Sequence, residues 1–187
     1  RWLIVALCCL SKHCLKSADC NVIPMEEWAG EPSHRITALV GPINLVIIQH
    51  TATAQVTTDE ECVKELKHIR NTHMELRQFD DIGQSFLVCG NSKVYEGAGW
   101  SLVGAHTRHY NNKSIGISFI GNFEENLPTS EAMASVHKLI SCGVENRHLA
   151  SDYKLVGHRQ LSATISPGDA LQKELANWPH WTDNIAK

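Results

Sequence analysis

Residues 45–51 read Leu45-Val46-Ile47-Ile48-Gln49-His50-Thr51, and this stretch decides the fold class. Four apolar residues follow one another without a polar interruption. A strand with one wet face alternates; a strand covered on both faces does not, so this run predicts a strand buried inside a sheet. It delivers Gln49, His50 and Thr51 at its carboxyl end. In open α/β sheets ligands bind outside the carboxyl ends of the strands, so side chains with chemistry are sought there.

Downstream, Thr58 and Glu61 form a capping box that starts a helix. Cys62, Leu66, Ile69, His73 and Leu76 follow at spacings of four and three, predicting one stripe on that helix. Phe86-Leu87-Val88-Cys89, the turn Gly90-Asn91-Ser92 and Val94-Tyr95 read as a β-hairpin. Ser114 to Ile120 is a second buried strand. Pro128-Thr129-Ser130-Glu131 opens a second helix that Gly143 closes. Leu155-Val156 is a short strand ending at Gly157-His158, and a last helix carries Leu171, Leu175 and Trp178. Strands alternating with helices predict an α/β domain: a central mixed β-sheet flanked by about three helices. Residues 21–187 contain no linker or repeat and form one domain.

Residues 1–20 stand apart. Trp2 to Leu10 is an apolar run behind Arg1, far shorter than the roughly 20 residues a membrane-spanning helix needs. It reads as a signal peptide, as the remnant of a membrane anchor followed by a linker, or as a buried N-terminal strand; the first two place the domain outside the cell. With Cys8 and Cys9 set aside, Cys14, Cys20, Cys62, Cys89 and Cys142 make an odd set, leaving at least one thiol free or paired between molecules. No Cys-X-X-Cys pair marks a zinc ribbon. The net charge of −3 over 187 residues argues against a nucleic-acid partner.

Eleven histidines suggest an imidazole-rich site. His50, His73, His106 and His158 fall near strand ends or on an inward helix face. Singly, each reads as a satisfied core or surface residue; together they predict a cleft lined by imidazoles. Tyr95-Glu96-Gly97-Ala98-Gly99-Trp100 reads either as a loop open to a ligand, with an indole to stack on, or as a plain loop with Trp100 as a core anchor. Asn111-Asn112-Lys113 is a polar turn, and Ser166, in Ile165-Ser166-Pro167-Gly168, is a turn residue.

Glu27-Trp28, Gln49-His50-Thr51-Ala52, Asp81-Ile82-Gly83, Val94-Tyr95-Glu96-Gly97, Gly104-Ala105-His106, Ser114 to Asn122, Cys142-Gly143-Val144, Gly157-His158-Arg159, Ser166-Pro167-Gly168 and Trp178-Pro179-His180 occur in this order. Together they resemble the peptidoglycan recognition proteins, from about Asn21 to Trp181. Phe86 to Cys89 and Phe123 to Pro128 are most similar to insect membrane-receptor members.

The resemblance implies a binding groove for peptidoglycan or muropeptides, with contacts at His50, Thr51, His73, Arg77, Gln78, Phe79, Gln84, Ala98 and His106 and with Trp100 nearby. Gln84 replaces the family's usual Tyr. Catalytic members are zinc amidases, and this chain departs from their pattern at three places: Gln49 stands for a His, Thr72 for a Tyr and Ser166 for a Cys, while His158 is kept. A catalytic zinc needs three good protein ligands and an open position, so the expectation is no metal, no cofactor and no amidase activity. The alternatives are a zinc amidase and an accessory domain that acts through another recognition domain. Gln78-Phe79 and Ala98 depart from the Gly-Trp and Arg of members that prefer diaminopimelate, which implies no strong preference for it. The family's disulfide would be Cys20–Cys142. A second, local disulfide is expected to be missing, because Val56 stands where the partner of Cys62 belongs.

Overall fold

The computed structural model describes residues 20–185. The reading of the N-terminal run and the state of Cys14 lie outside the described residues. Six strands form one sheet: β1 (Val22–Ile23), β2 (Ile43–His50), β3 (Phe86–Val88), β4 (Val94–Glu96), β5 (Ile115–Phe119) and β6 (Leu149–Gly157). Their order is β1-β4-β3-β5-β2-β6. β2 runs parallel to both β5 and β6, and only the β3–β4 hairpin is antiparallel. β2 is thus an interior strand, and Val46, Ile47 and Ile48 are each 0% exposed.

Helices cover both faces: α1 (Met25–Ala29), α2 (Asp59–Asn71), α3 (Ser130–Glu145) and α4 (Asp169–Leu175). Side chains alternate across a strand, so neighbours in β3 join different cores. Phe86 and Val88 pack with Val46, Ile48 and Ile117 against Val136 and Leu139 of α3 and Leu171 of α4. Leu87 packs with Cys62, Leu66 and Ile69 of α2 and Trp28 of α1. The capping box of α2 is formed: Glu61 N–H donates to Thr58 Oγ1 at 3.2 Å, and Thr58 N–H to a Glu61 carboxylate oxygen at 3.3 Å.

Four expectations are corrected. The stripe on α2 stops short of Leu76, which is 78% exposed. The chain widens into a π-helical turn at Thr72–Leu76, and the extra residue per turn rotates Leu76 off the apolar face. Gly143 does not close α3 but lies inside it, where a Cβ would stand 2.5 Å from the Trp100 ring; it is small because an indole rests there. β6 is nine residues long, its polar first half having hidden it. Finally, Cys62 has a disulfide partner, Cys89 at the end of β3, which ties α2 to the sheet alongside the Cys20–Cys142 bond. The partner lies 27 residues on rather than at position 56. No helix among the described residues is long and apolar enough to cross a membrane.

Candidate ligand-binding cleft

The carboxyl ends of β2 and β6, the π-turn after α2 and two loops enclose a cleft of about 340 Å³. His50 ends β2. Its N–H donates to Ser166 Oγ at 3.1 Å, and its Nδ1 accepts from Phe123 N–H at 3.2 Å. An imidazole that accepts at Nδ1 carries its proton at Nε2 when neutral, so His50 presents an N–H donor. His73 is built the same way: Nδ1 accepts from Gly83 N–H at 3.0 Å. His106 sits on the loop before β5 with its ring flat on Gly116, where a Cβ would come within 2.5 Å of it. Glycine at 116 is what lets the imidazole reach the strand. Arg159, directly after His158, donates to the Ile165 carbonyl and the Asp169 carboxylate and so holds the Ser166 loop over the cleft.

A buried ion network fixes the opposite wall. Arg70 grips Asp81 with two bonds of 2.8 and 3.0 Å, and Asp81 is 0% exposed. Arg35 Nη2 donates to the carbonyls of Asp81 and Ile82 at 2.8 and 2.9 Å. Burial alone would raise the Asp81 carboxyl, but the Arg70 guanidinium and the N–H groups of His34 and Ile82 hold it below the usual range. The segment fixed here ends at Gly83, which orients His73.

The four imidazoles are neutral at pH 7. Burial pushes His50 down to about 4, with Arg159 and His158 adding to the effect. Burial does the same to His73, at about 4, helped by Arg77 and Arg35, and to His158, at about 4. His106 is lowered to about 3, by burial first and then by His158 and Arg35. His50 Nε2, His106 Nε2, His158 Nδ1 and Gln84 Oε1 are buried without a partner in the protein. Buried polar atoms are ordinarily satisfied; four unsatisfied ones around one cleft suit a polar ligand rich in carbonyl and hydroxyl groups.

The donor set does not fit zinc. Gln49, Ser166 and His158 all line the cleft, but the Gln49 amide donates to Thr107 Oγ1 at 3.0 Å and to the His106 carbonyl at 3.3 Å. Ser166 Oγ is engaged by the His50 N–H. A neutral amide and an un-ionised hydroxyl are weak ligands beside one imidazole. Among the described residues no three His, Cys, Asp or Glu side chains converge as a metal site.

Of the sequence-predicted residues, His50, Thr51, Thr72, His73, Arg77, Gln84 and His106 line the cleft with the three just named. Phe79 packs on the His73 ring at 5.5 Å between centroids. Gln78 is turned outward at φ 56°, its amide donating to the Glu75 carbonyl. Two placements are corrected. Trp100 lies between Phe86 and His148, at 4.6 and 5.1 Å, as a core anchor. Ala98 is 3% exposed behind Gln84, whose carbonyl takes its N–H at 2.9 Å. Sequence reading missed Asn111, whose Oδ1 accepts from the N–H groups of His106 and Thr107 at 2.9 and 2.7 Å. It also missed Arg35, Arg70, Thr107 and Asp81's role. Arg35 and Arg70 sit in polar sequence contexts that give no sign of burial.

The sequence matches the family profile described as N-acetylmuramoyl-L-alanine amidase over residues 39–169. It is 48% identical over 168 residues to a peptidoglycan recognition protein of Trichoplusia ni, covering 90% of this chain and 92% of that one. The fold superposes on Manduca sexta peptidoglycan recognition protein-1 with a TM-score of 0.86 and 46% identity, over 89% of this chain and 95% of the other. A TM-score of 0.85 with 43% identity relates it to a chain in the tracheal cytotoxin complex of the ectodomains of peptidoglycan recognition proteins LCa and LCx, over 87% and 99% of the two chains. A profile match across most of the domain, identity near one half and a shared fold agree: the chain belongs to the peptidoglycan recognition proteins of the N-acetylmuramoyl-L-alanine amidase family.

Proposed function

We propose that this domain captures muropeptides in the cleft as an extracellular receptor of innate immunity and does not hydrolyse them. The observation that carries the reading is the double use of the cleft. Its metal-ligand positions hold Gln49 and Ser166, both engaged by neighbouring groups, while neutral imidazoles and Arg77 still face the same space. Neutral Nε2–H donors suit the carbonyl and hydroxyl oxygens of a stem peptide and sugar, and Arg77 suits a carboxylate. A donor set that does not hold zinc leaves the pKa of water far above neutrality, and no hydroxide is at hand to attack the muramoyl–alanine amide. The two disulfides support an oxidising compartment.

The test pairs metal analysis with product analysis. The purified domain is expected to bind muropeptide, to carry no stoichiometric zinc and to release no stem peptide. One zinc per chain with cleavage of the amide overturns the reading in favour of an amidase. A second reading, an accessory domain, is favoured by the similarity to a chain of the LCa–LCx ectodomain complex to which tracheal cytotoxin is bound. Titration with and without a second recognition domain separates it: affinity that appears only with the partner supports the accessory role.

A further inference from the structure

The polar turn before β5 contains the sequence's only Asn-X-Ser/Thr triplet with X other than Pro, Asn112-Lys113-Ser114. The two neighbouring asparagines do different work. Asn111 commits its carboxamide oxygen to the N–H groups of His106 and Thr107 and so belongs to the cleft wall. Asn112 is exposed on the 3-10 turn Asn111–Lys113. Its carboxamide has no structural task to explain it.

We propose that Asn112 is an N-linked glycosylation site. This rests on the extracellular reading, because the transferase works in the secretory pathway. The Asn112 carboxamide nitrogen attacks C1 of the first N-acetylglucosamine of a lipid-pyrophosphate-linked oligosaccharide. A C–N bond forms, the C–O bond to the lipid pyrophosphate breaks, the pyrophosphate leaves with the electron pair and the amide loses one proton to solvent. The transferase must also read the hydroxyl of Ser114. In the folded domain that hydroxyl donates to the Tyr110 carbonyl at 2.7 Å and Ser114 is 0% exposed. Attachment therefore precedes the pairing of β5 with β2 and β3, and the folded domain is not an acceptor. Once β5 is in place the glycan stands on an exposed residue and disturbs no packing.

The position has a consequence for surface use. Tyr110 and Lys113, which flank Asn112, line a second depression of about 460 Å³ with Leu45, Asp152 and Lys154. A glycan at Asn112 covers the rim of this depression, whereas the His106 wall of the cleft is held through Asn111.

The experiment expresses the 187-residue chain behind a heterologous secretory leader in insect cells and maps the secreted protein by peptide mass before and after enzymatic deglycosylation. The expected result is a glycan on Asn112, removed by the enzyme, absent in Asn112→Gln and retained in Ser114→Thr. Secreted protein with both disulfides formed and an unmodified Asn112 peptide overturns the proposal. Folded, non-glycosylated protein offered to microsomes is expected to stay unmodified, and its glycosylation overturns the claim that attachment precedes folding. Muropeptide affinity of Asn112→Gln is expected within about twofold of the parent, and a loss of about tenfold or more places the residue in the cleft instead. Free thiols at Cys62 and Cys89 in protein isolated from its natural source would count against the extracellular reading alone, since acceptor competence is measured behind the heterologous leader.

Discussion

The backbone N–H of Gly83 donates to Nδ1 of His73 at 3.0 Å, and this one bond sets the tautomer, and hence the donor, that the α2 side offers to the cleft. It also separates two roles of His73 that substitution can test apart. His73→Asn places an amide oxygen near Nδ1 and keeps an acceptor for Gly83, but loses the Nε2–H. His73→Ala loses both, and an unpaired buried N–H costs about 1–3 kcal/mol. Muropeptide affinity is expected to fall about 2- to 10-fold in both, because a hydrogen bond between uncharged groups contributes about 0.5–1.5 kcal/mol. Only the Ala variant should lose that stability. Arg77→Ala, on an exposed residue, should weaken binding without destabilising. Calorimetry and denaturant midpoints check all three; unchanged binding in each would move the ligand elsewhere.

Acid should destabilise the domain well before the carboxylates titrate. In the folded state His50, His73 and His158 are depressed to about 4 and His106 to about 3, against 6.5 for an unperturbed group. Below about pH 6.5 the unfolded chain takes up protons that the folded domain refuses, so stability is fully present above that pH and falls down to about pH 4. Each fully decoupled group contributes at most about 1.4 kcal/mol per pH unit in this window. Melting temperature across it is expected to drop steadily, with a shallower slope in His73→Asn. A flat profile would mean that the imidazoles protonate in place.

The Asp81 carboxylate anchors the wall behind His73, and breaking a buried ion pair by removing one partner costs about 3–5 kcal/mol. Asp81→Ala leaves Arg70 with the half-exposed Glu31 carboxylate as its ion-pair partner and frees the N–H groups of His34 and Ile82. A stability loss of that order is expected from chemical denaturation, together with weaker muropeptide binding as Gly83 loosens. A variant as stable as the parent would show that the network is dispensable.

The elements were legible where one signal sufficed: the unbroken apolar run of β2, the capping box of α2 and the turn of the β3–β4 hairpin. The site was legible where polar residues followed such elements, as Gln49-His50-Thr51 follows β2. What stayed hidden depended on distant partners. Nothing local says that Arg35 is buried, because its partners are carbonyls at Asp81 and Ile82. The π-turn that exposes Leu76 leaves no trace in apolar spacing. Trp100 sits in a glycine-spaced loop that looks ready for a ligand, yet its seat is Gly143, on a helix that follows later in the chain.

That seat gives a prediction in which two effects oppose. Alanine is favoured over glycine inside a helix by about 0.5–1 kcal/mol, so Gly143→Ala should help α3. A Cβ there meets the Trp100 ring at 2.5 Å, and the ring cannot retreat because Phe86 and His148 flank it. Overpacking costs about 1–3 kcal/mol, so net destabilisation is expected. A rise in melting temperature would show that Trp100 has room to move.

The positions that the resemblance assigns to the amidase site allow a constructive test. Gln49, Thr72, His158 and Ser166 all line one cleft, so the combined variant Gln49→His, Thr72→Tyr and Ser166→Cys should gain zinc affinity. The change at 49 gives up the amide bond to Thr107 Oγ1, and the new imidazole must find another orientation. The change at 166 replaces the hydroxyl that accepts from His50 N–H with a thiolate, still an acceptor, whose charge the metal stabilises. With His158 the three ligands leave an open position for water. Zinc titration of the combined and single variants checks this: the combined variant should bind far more tightly than any single one, because no subset completes the triad. If all bind alike, or none does, the correspondence of these positions to the amidase ligands is wrong. Zinc binding without amide cleavage would instead show that the ligand geometry is restored while substrate placement, where Gln84 faces the cleft, is not.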